Sequence, residues 1–177
     1  MGLRPWRPDD AAAVYEACQD AEIQRWTEVP VPYLREHAVG FVDGVAADTW
    51  ARGGALFAVE PRDGGPLIGS MGLLVLRDRV GVVGYWTTAE HRGHGFTGEA
   101  LRLLGNWVLD DLGARRVELI ADAENTGSCR TAERAGFTRE GVLRQRSIHR
   151  GRVVDDVLYS LLASDPRAGC GEGPPAE

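Results

Sequence analysis

Cysteine is scarce in this sequence, and the cysteines that are present show no paired spacing. Cys18, Cys129 and Cys170 are odd in number, lie far apart and include no Cys-x-x-Cys motif. A disulfide framework uses an even set of cysteines, and a structural zinc site uses closely spaced thiolates. The sequence therefore indicates neither of these, and it fits a reducing compartment and a protein without a bound metal.

Long apolar runs are also missing. The first ten residues, MGLRPWRPDD, lack the apolar core of a signal peptide. No later segment approaches the roughly 20 apolar residues that a membrane span requires. We therefore expect a cytoplasmic protein without a membrane partner.

An excess of basic residues is the third absence. Lysine and arginine together number 20 against 26 aspartates and glutamates, which gives a formal net charge of -6 at pH 7. A general nucleic-acid binder needs a basic face that neutralises phosphates. The charge balance therefore argues against a nucleic-acid partner.

The chain has the size and composition of one globular domain. Its 177 residues, 44% of them hydrophobic, are enough to bury a stable core without disulfides. The final segment, SDPRAGCGEGPPAE, has no apolar pattern. We assign residues 1–165 to the domain and predict a disordered tail over residues 166–177.

The hydrophobic pattern predicts helices and strands along the whole domain. Apolar residues at helical spacing predict helices over 10–19, 34–50, 98–111 and 125–134, the first of them capped by Asp9 and Asp10. The segment WTEVPVPY between the first two is too rich in proline to be helical. Apolar runs bounded by turn residues predict strands over 55–60, 67–76, 80–87, 115–121, 137–147 and 152–162. This order indicates a mixed α/β fold of the α+β kind, built on a mostly antiparallel sheet.

A glycine-rich loop precedes the third predicted helix. Gly93, Gly95 and Gly98 spell Gly-x-Gly-x-x-Gly, and Glu118 follows about 20 residues later, as in the dinucleotide-binding fingerprint. Six residues separate this loop from its strand and too few βα units follow, so we disfavour that interpretation. A plain glycine turn is a second interpretation. The third is a pyrophosphate cradle, in which backbone N–H groups and a helix dipole converge on phosphate oxygens and Arg92 adds charge.

The segments around the loop resemble the GNAT N-acetyltransferase superfamily. HRGHGFTGEAL resembles its acetyl-CoA loop, Arg/Gln-x-x-Gly-x-Gly/Ala, with Arg92 and Gly95 in place and Thr97 where a small residue is expected. RWTEVPVPY, VGYWTTAEHRGHG, AENTGSCRTAERAGF and EGVLRQRSIHRGRVVDDVLYSLLASD are similar to the RimJ/RimL-like branch. The resemblance covers residues 3–165 in family order.

This resemblance implies the GNAT fold, a twisted and mostly antiparallel sheet of about six or seven strands flanked by helices. It also implies acetyl-CoA as co-substrate and no metal. The backbone of residues 85–88 would bind the pantetheine arm and orient the thioester. The cofactor-binding residues implied are Trp86, Thr87, Thr88, Arg92, Gly93, His94, Gly95, Phe96, Thr97, Gly98 and Asn125.

The departing thiolate needs a proton donor. Many members of the family use a tyrosine at the position that Ala132 occupies here. The RimL-like pattern Asn-x-x-Ser is present instead, so the resemblance implies Ser128 as the candidate donor and Asn125 as a second catalytic-site residue. The alternative is structural, with Asn125 as a helix N-cap and Ser128 as an ordinary polar residue of the first turn.

The residues that would receive the amine are less defined by sequence. An amine must lose a proton before it attacks, and the candidate bases are Glu28, Glu90, His91 and His149. The candidates for lining an acceptor cleft are Trp26, Tyr33, Trp86, Arg144 and Arg146. Trp86 is also a candidate core residue, Cys129 fits a small buried hydrophobe, and Glu99 fits a first-turn carboxylate that complements the helix dipole.

The resemblance implies transfer of an acetyl group from acetyl-CoA directly to a primary amine, on a protein N terminus or on a small molecule. Succinyl-CoA is an alternative donor if Arg144 or Arg146 faces the acyl end. The missing tyrosine and Thr97 leave a non-catalytic acyl-CoA sensor as the second class of function. The composition does not decide between a monomer and a homodimer.

Overall fold

The computed structural model of the protein describes residues 1–167, and its centre is a sheet with the strand order β1-β2-β3-β4-β5-β7-β6. The strands are β1 (Gly2–Pro5), β2 (Ala55–Glu60), β3 (Gly69–Arg77), β4 (Val80–Thr87), β5 (Arg116–Asp122), β6 (Thr138–His149) and β7 (Arg152–Leu162). The helices are α1 (Ala11–Ala17), α2 (Ala21–Trp26), α3 (Arg35–Gly40), α4 (Ala46–Ala51), α5 (Phe96–Asp110) and α6 (Thr126–Arg134). A π-helical turn, Phe41–Val45, joins α3 to α4, and short 3-10 turns lie at Pro8–Asp10 and Ala89–His91.

The sheet is antiparallel between all neighbours except β4 and β5. These two strands run parallel and are connected by α5, which crosses from the end of β4 to the start of β5. The predicted mixed α/β class with a mostly antiparallel sheet is therefore confirmed. A doubly wound parallel sheet, which the dinucleotide interpretation of the glycine loop requires, is excluded.

Two hydrophobic clusters cover the two faces of the sheet. The first packs α5 and α6 against the strands, and its Leu101, Leu104 and Val108 are each 0% exposed. The second lies under α1 to α3 and includes the buried residues Val14, Cys18, Ile23, Tyr33, Ala38 and Val42. Tyr85 packs against the first cluster and the next residue, Trp86, against the second. Since successive residues of a strand point to opposite faces, the clusters lie on opposite sides of β4.

Most of the predicted elements are confirmed, and two are additions. β4 has the predicted bounds, and α5 begins earlier than predicted because Gly95 is its N-cap, with a left-handed φ of 83°. β1 and α2 were not predicted. β1 is a four-residue strand that pairs with β2 at the sheet edge, and α2 is a six-residue helix capped by Asp20. Elements this short contain too few residues to show a period.

Some expectations concern regions that the structure describes only in part. Residues 168–177 of the predicted tail lie outside the described residues, whereas Arg167 makes a two-pronged ion pair with Asp110 at 2.8 Å on α5. Within residues 1–167 no helix has the length and apolar character needed to cross a membrane. The cytoplasmic location and the domain bounds stay predictions.

Substitution of two neighbouring leucines on β3 tests whether the face of the sheet under the first cluster contributes more to stability than the exposed face. Leu73 is 0% exposed in the first cluster, whereas Leu74 is 49% exposed. Because Leu73→Ala leaves a cavity in the core, we expect it to lower the free energy of unfolding by about 2–5 kcal/mol. Leu74→Ala should cost about 1 kcal/mol or less. Urea denaturation measures both, and equal losses would contradict this description of the core.

Candidate active site

The glycine loop ends in a cluster of backbone N–H groups. Gly93 and Gly95 have φ values of 81° and 83°, and a Cβ at either position would meet nothing within 4 Å. Glycine is therefore required by the left-handed backbone and not by crowding. Within α5 the first N–H that finds an intrahelical acceptor is that of Glu99, which donates to the Gly95 carbonyl at 3.1 Å. The preceding amides of the first turn are left without intrahelical partners at the positive end of the helix, which suits an anion.

Arg92 joins the loop to two other elements. Its Nε and Nη2 atoms donate to the Thr87 carbonyl at 3.1 and 3.0 Å, and Nη2 forms an ion pair with Asp20 at 2.7 Å. Asp20 also caps α2, because its Oδ1 accepts from the Glu22 N–H at 2.6 Å. The guanidinium thus fixes the loop to the end of β4 and the start of α2. Its predicted contact with a phosphate stays a prediction.

The threonines at the end of β4 are all hydrogen-bonded. The Thr97 hydroxyl, at the position where the sequence departs from the expected small residue, shares a hydrogen bond of 2.7 Å with the Thr87 hydroxyl. Thr88 is 4% exposed and bonds to the His91 Nδ1 atom at 2.7 Å. Thr97 therefore connects the first turn of α5 to β4 without disturbing the loop. His94 stacks on Phe96, with ring centroids 5.6 Å apart.

The ladder between β4 and β5 ends early and leaves a gap in the sheet. The strands pair from Val80–Arg116 to Val83–Leu119, while β4 continues to Thr87 and β5 to Asp122. In the part of the chain that the structure describes, no strand fills the space between residues 84–87 and 120–122. Backbone polar groups along this gap are open to an extended ligand.

The first turn of α6 reaches β4 beside this gap. The Asn125 Oδ1 atom accepts from the Ser128 N–H at 3.0 Å, so Asn125 is the N-cap that the structural alternative predicts. The Ser128 hydroxyl lies 2.9 Å from the Tyr85 hydroxyl of β4. Burial raises the pKa of Tyr85 to about 12, so its hydroxyl is protonated at neutral pH. This contact was not predicted. The only signal for it in the sequence is that alternation along the strand places Tyr85 and Trp86 on opposite faces of the sheet.

A cavity of about 330 Å³ lies on the opposite face of the sheet. It is lined by Trp26, Glu28, Ile120, Asp122, Ser147, Ile148, His149, Val154 and Asp156. Asp122 and Asp156 are directly opposite each other on β5 and β7. Asp156 is 4% exposed and accepts from the Ser147 hydroxyl at 2.5 Å and from Arg146 at 3.3 Å.

The cavity contains some of the predicted acceptor residues and not others. Trp26, Glu28 and His149 line it, and the His149 Nδ1 atom lies 2.7 Å from the Glu28 carboxylate. Two of the predicted cleft residues are elsewhere: Tyr33 is 5% exposed in the second cluster, and Trp86 packs against that cluster.

The remaining candidates also lie away from this cavity. Glu90 is exposed on a 3-10 turn, and His91 bonds to Thr88. Arg144 and Arg146 line a second depression of about 830 Å³ over the bulge of β6. Its other lining residues are Val142, Leu143, Gln145 and Asp155. The half-buried Cys129 packs against the first cluster, as expected of a small hydrophobe.

Sequence reasoning missed Asp122 and Asp156. Each comes at a polar position of an alternating strand, which is the signal that the sequence offers. Their proximity depends on the β5–β7 register, which no local pattern specifies.

Comparison with known proteins agrees with this geometry. The family model of the acetyltransferase (GNAT) domain matches residues 1–138. The chain belongs to the GNAT acetyltransferase family. Uncharacterized N-acetyltransferase YoaA of Bacillus subtilis (strain 168) is 28% identical over 162 residues, which is 90% of this chain and 92% of YoaA.

Solved structures of other proteins have the same fold. RimJ of Mycobacterium smegmatis, in complex with a CoA-disulfide, is 26% identical with a TM-score of 0.78, and the match covers 92% of this chain and 81% of RimJ. The microcin C7 self-immunity acetyltransferase MccE, in complex with acetyl-CoA and AMP, is 22% identical with a TM-score of 0.80, and the match covers 90% of this chain and 91% of MccE. The predicted GNAT fold is confirmed, and the chain is an N-acetyltransferase of the acyl-CoA-dependent GNAT family.

Substitutions at Asp20 distinguish the contribution of its helix cap on α2 from that of its ion pair with Arg92. Asp20→Asn keeps an oxygen for the α2 cap but removes the charge that pairs with Arg92, whereas Asp20→Ala removes both. We expect Asp20→Ala to lower the free energy of unfolding by about 1–2 kcal/mol and Asp20→Asn by about half as much. The exposed Asp9→Ala is the control. If Asp20→Asn were as harmful as Asp20→Ala in urea denaturation, the cap would contribute nothing.

Proposed function

We propose that this GNAT acetyltransferase transfers the acetyl group of acetyl-CoA to a primary amine that enters through the acidic cavity. The observation that supports this most is the gap between β4 and β5, because it opens toward the amide cluster of α5 and toward the cavity on the other face. A thioester in the gap is accessible to an amine from that cavity. The amine belongs to a protein N terminus or to a small molecule.

The cofactor would follow the polar groups of β4, α5 and α6. Its pyrophosphate would accept hydrogen bonds from the first-turn amides of Phe96, Thr97 and Gly98, with the glycines of the loop allowing close approach. Its pantetheine arm would lie along the edge of residues 85–88 that faces the gap, with Asn125 on the other side. On that edge the Thr87 carbonyl already accepts from Arg92, so the arm would use the remaining backbone groups. A backbone N–H of β4 would polarise the thioester oxygen.

The acidic cavity suits a nitrogen nucleophile. Amines are protonated in neutral water, with a pKa near 8 for an α-amino group and about 10.4 for lysine. Asp122 and Asp156 attract such a cation, and the open side of Asp122 is the more accessible of the two, since Asp156 is held by Ser147 and Arg146. The Glu28 carboxylate on the cavity wall is the proposed acceptor for the amine proton. It is held by the His149 Nδ1 atom at 2.7 Å, while the His149 Nε2 atom faces the Arg25 carbonyl at 2.6 Å.

The departing sulfur would meet Ser128. This residue lies on the first turn of α6 beside the gap, and its hydroxyl is the proposed proton donor to the thiolate. The position where a tyrosine was expected holds Ala132, which is 0% exposed in the first cluster. Arg146 donates to Asp156 at 3.3 Å through Nη1, so part of the guanidinium that would attract the carboxylate of a succinyl donor is already engaged.

Release of free CoA thiol tests the proposed reaction. We expect turnover with at least one member of a panel of N-terminal peptides and small primary amines, and none with matched alcohols. Asp122→Asn retains the oxygen that accepts from the Glu124 N–H at 2.8 Å but loses the charge. We therefore expect it to raise the KM for the amine about tenfold and leave the KM for acetyl-CoA unchanged.

Asp155→Asn is the control for this experiment, because Asp155 lies next to Asp156 on β7 but points to the other face and lines the other depression. We expect its KM for the amine to stay within about threefold of the parent. Equal effects of the two substitutions, or no CoA release with any amine, would contradict the proposed acceptor site.

Substitutions at Gly95 test the loop as the cofactor site. Asparagine tolerates a left-handed backbone, whereas valine is strained there by roughly 1–3 kcal/mol. We expect calorimetry to give about tenfold weaker acetyl-CoA binding for Gly95→Val and a change within about threefold for Gly95→Asn. Unchanged binding in both variants would remove the loop from the cofactor site.

A further inference from the structure

Tyr85 extends its hydroxyl from β4 to the first turn of α6. Its ring packs against the first hydrophobic cluster, and its oxygen lies 2.9 Å from the Ser128 hydroxyl and 3.3 Å from the Ser128 carbonyl. A phenylalanine would provide the same packing. The hydroxyl is therefore the part of Tyr85 that requires a separate explanation, since a buried hydroxyl is costly unless it is hydrogen-bonded.

The partner of this hydroxyl is held in place by its own backbone. The Ser128 N–H donates to Asn125 Oδ1 at 3.0 Å, so the Cα–Cβ bond of Ser128 has a defined direction. A serine hydroxyl has one hydrogen and two lone pairs, and it rotates to suit its neighbours. Tyr85 has one hydroxyl hydrogen, and the Ser128 hydroxyl at 2.9 Å is nearer to it than the Ser128 carbonyl at 3.3 Å. When Tyr85 donates this hydrogen to the Ser128 hydroxyl oxygen, the serine hydrogen is free for another acceptor. Tyr85 can do this at any neutral pH, because burial raises its pKa to about 12.

We propose that Tyr85 is a positioning residue that donates a hydrogen bond to Ser128 and so directs the Ser128 hydrogen toward the departing sulfur. The inference rests on the proposed function, in which Ser128 protonates that sulfur. Tyr85 stays protonated throughout the reaction and does not contact the substrate. The phenol of Tyr85 comes from β4, the strand beside the gap. The position on α6 where many members of the family have a tyrosine is Ala132 here, one turn after Ser128.

The proton balance of this step is closed by water. The amine nitrogen bonds to the thioester carbon, and the carbon–sulfur bond breaks with its electron pair going to sulfur. The sulfur takes the Ser128 hydrogen, and Ser128 regains a proton from water. The proton that the amine loses goes to the Glu28 carboxylate and from there to water. Tyr85 fixes the direction of the first transfer.

Kinetics of a small variant set test the positioning role. We expect Tyr85→Phe to lower kcat about tenfold with the KM for acetyl-CoA within about twofold, as removal of one hydrogen bond made to the reacting group predicts. Ser128→Ala should lower kcat further. The double variant should match Ser128→Ala alone, because Tyr85 acts through Ser128.

The control is Tyr159→Phe. Tyr159 is 1% exposed, and its hydroxyl donates to Glu133 of α6 at 3.0 Å rather than to Ser128. This variant also removes a buried phenol hydroxyl, and we expect its kcat to stay within about twofold of the parent. A loss of kcat in Tyr85→Phe that is matched by Tyr159→Phe, or that adds to the loss in Ser128→Ala, would overturn the proposal.

A second measurement does not depend on finding the amine. The chain has four tyrosines, so 3-fluorotyrosine labelling gives four fluorine NMR signals, and Tyr85→Phe identifies the one from Tyr85. We expect this signal to shift with CoA and to shift differently with desulfo-CoA, which lacks the sulfur. The difference should disappear in Ser128→Ala.

The two measurements separate the possible failures. Identical shifts with CoA and desulfo-CoA would overturn the inference about Tyr85 even if the enzyme turns over amines. A sulfur-dependent shift without CoA release from any amine would contradict the proposed acceptor while supporting the Tyr85–Ser128 contact with the sulfur.

Discussion

The early end of the ladder between β4 and β5 is the constraint on which the rest of the site depends. The two strands pair from Val80 to Val83 on β4 and then continue apart. A ladder that stops inside a sheet leaves backbone polar groups open on both strands. α5 packs on one face of this opening, and the acidic cavity lies on the other. The gap is therefore the place where an acyl donor bound at α5 and an acceptor in the cavity can meet.

Side-chain hydrogen bonds connect β4 to α5 and α6 where its ladder with β5 has ended, while its other edge stays paired with β3. Thr87 bonds to Thr97 on α5, and Tyr85 bonds to Ser128 on α6. The hydroxyls point from β4 toward the two helices of the first cluster, so the open strand is kept in register with the elements that would hold the cofactor. Partly buried polar contacts of this kind favour one arrangement because an unpaired partner is costly. The contact between Tyr85 and Ser128 thus both positions the strand and holds the proposed proton donor beside the gap.

Local sequence signals predict the individual elements of this site better than the long-range contacts between them. The apolar run over 80–87 predicts β4, the apolar face around Leu101 and Leu104 predicts α5, and the spacing of Gly93 and Gly95 predicts the loop between them. These features depend on neighbours within a few residues of one another. The facing of Asp122 and Asp156 depends on the β5–β7 register, and the position of Tyr33 depends on how α1 to α3 fold together. Long-range packing of this kind has no local signature, which is why the acceptor residues were predicted least well.

Backbone amide NMR with CoA tests the central claim, that the cofactor occupies the gap beside the α5 N terminus, most directly. Amide shifts in a 15N-labelled sample report every strand and helix at once. The account predicts that the largest shifts on adding CoA fall within residues 84–88, 93–99 and 125–128. Shifts centred on residues 142–146, where the larger depression lies, or an unchanged spectrum would contradict it.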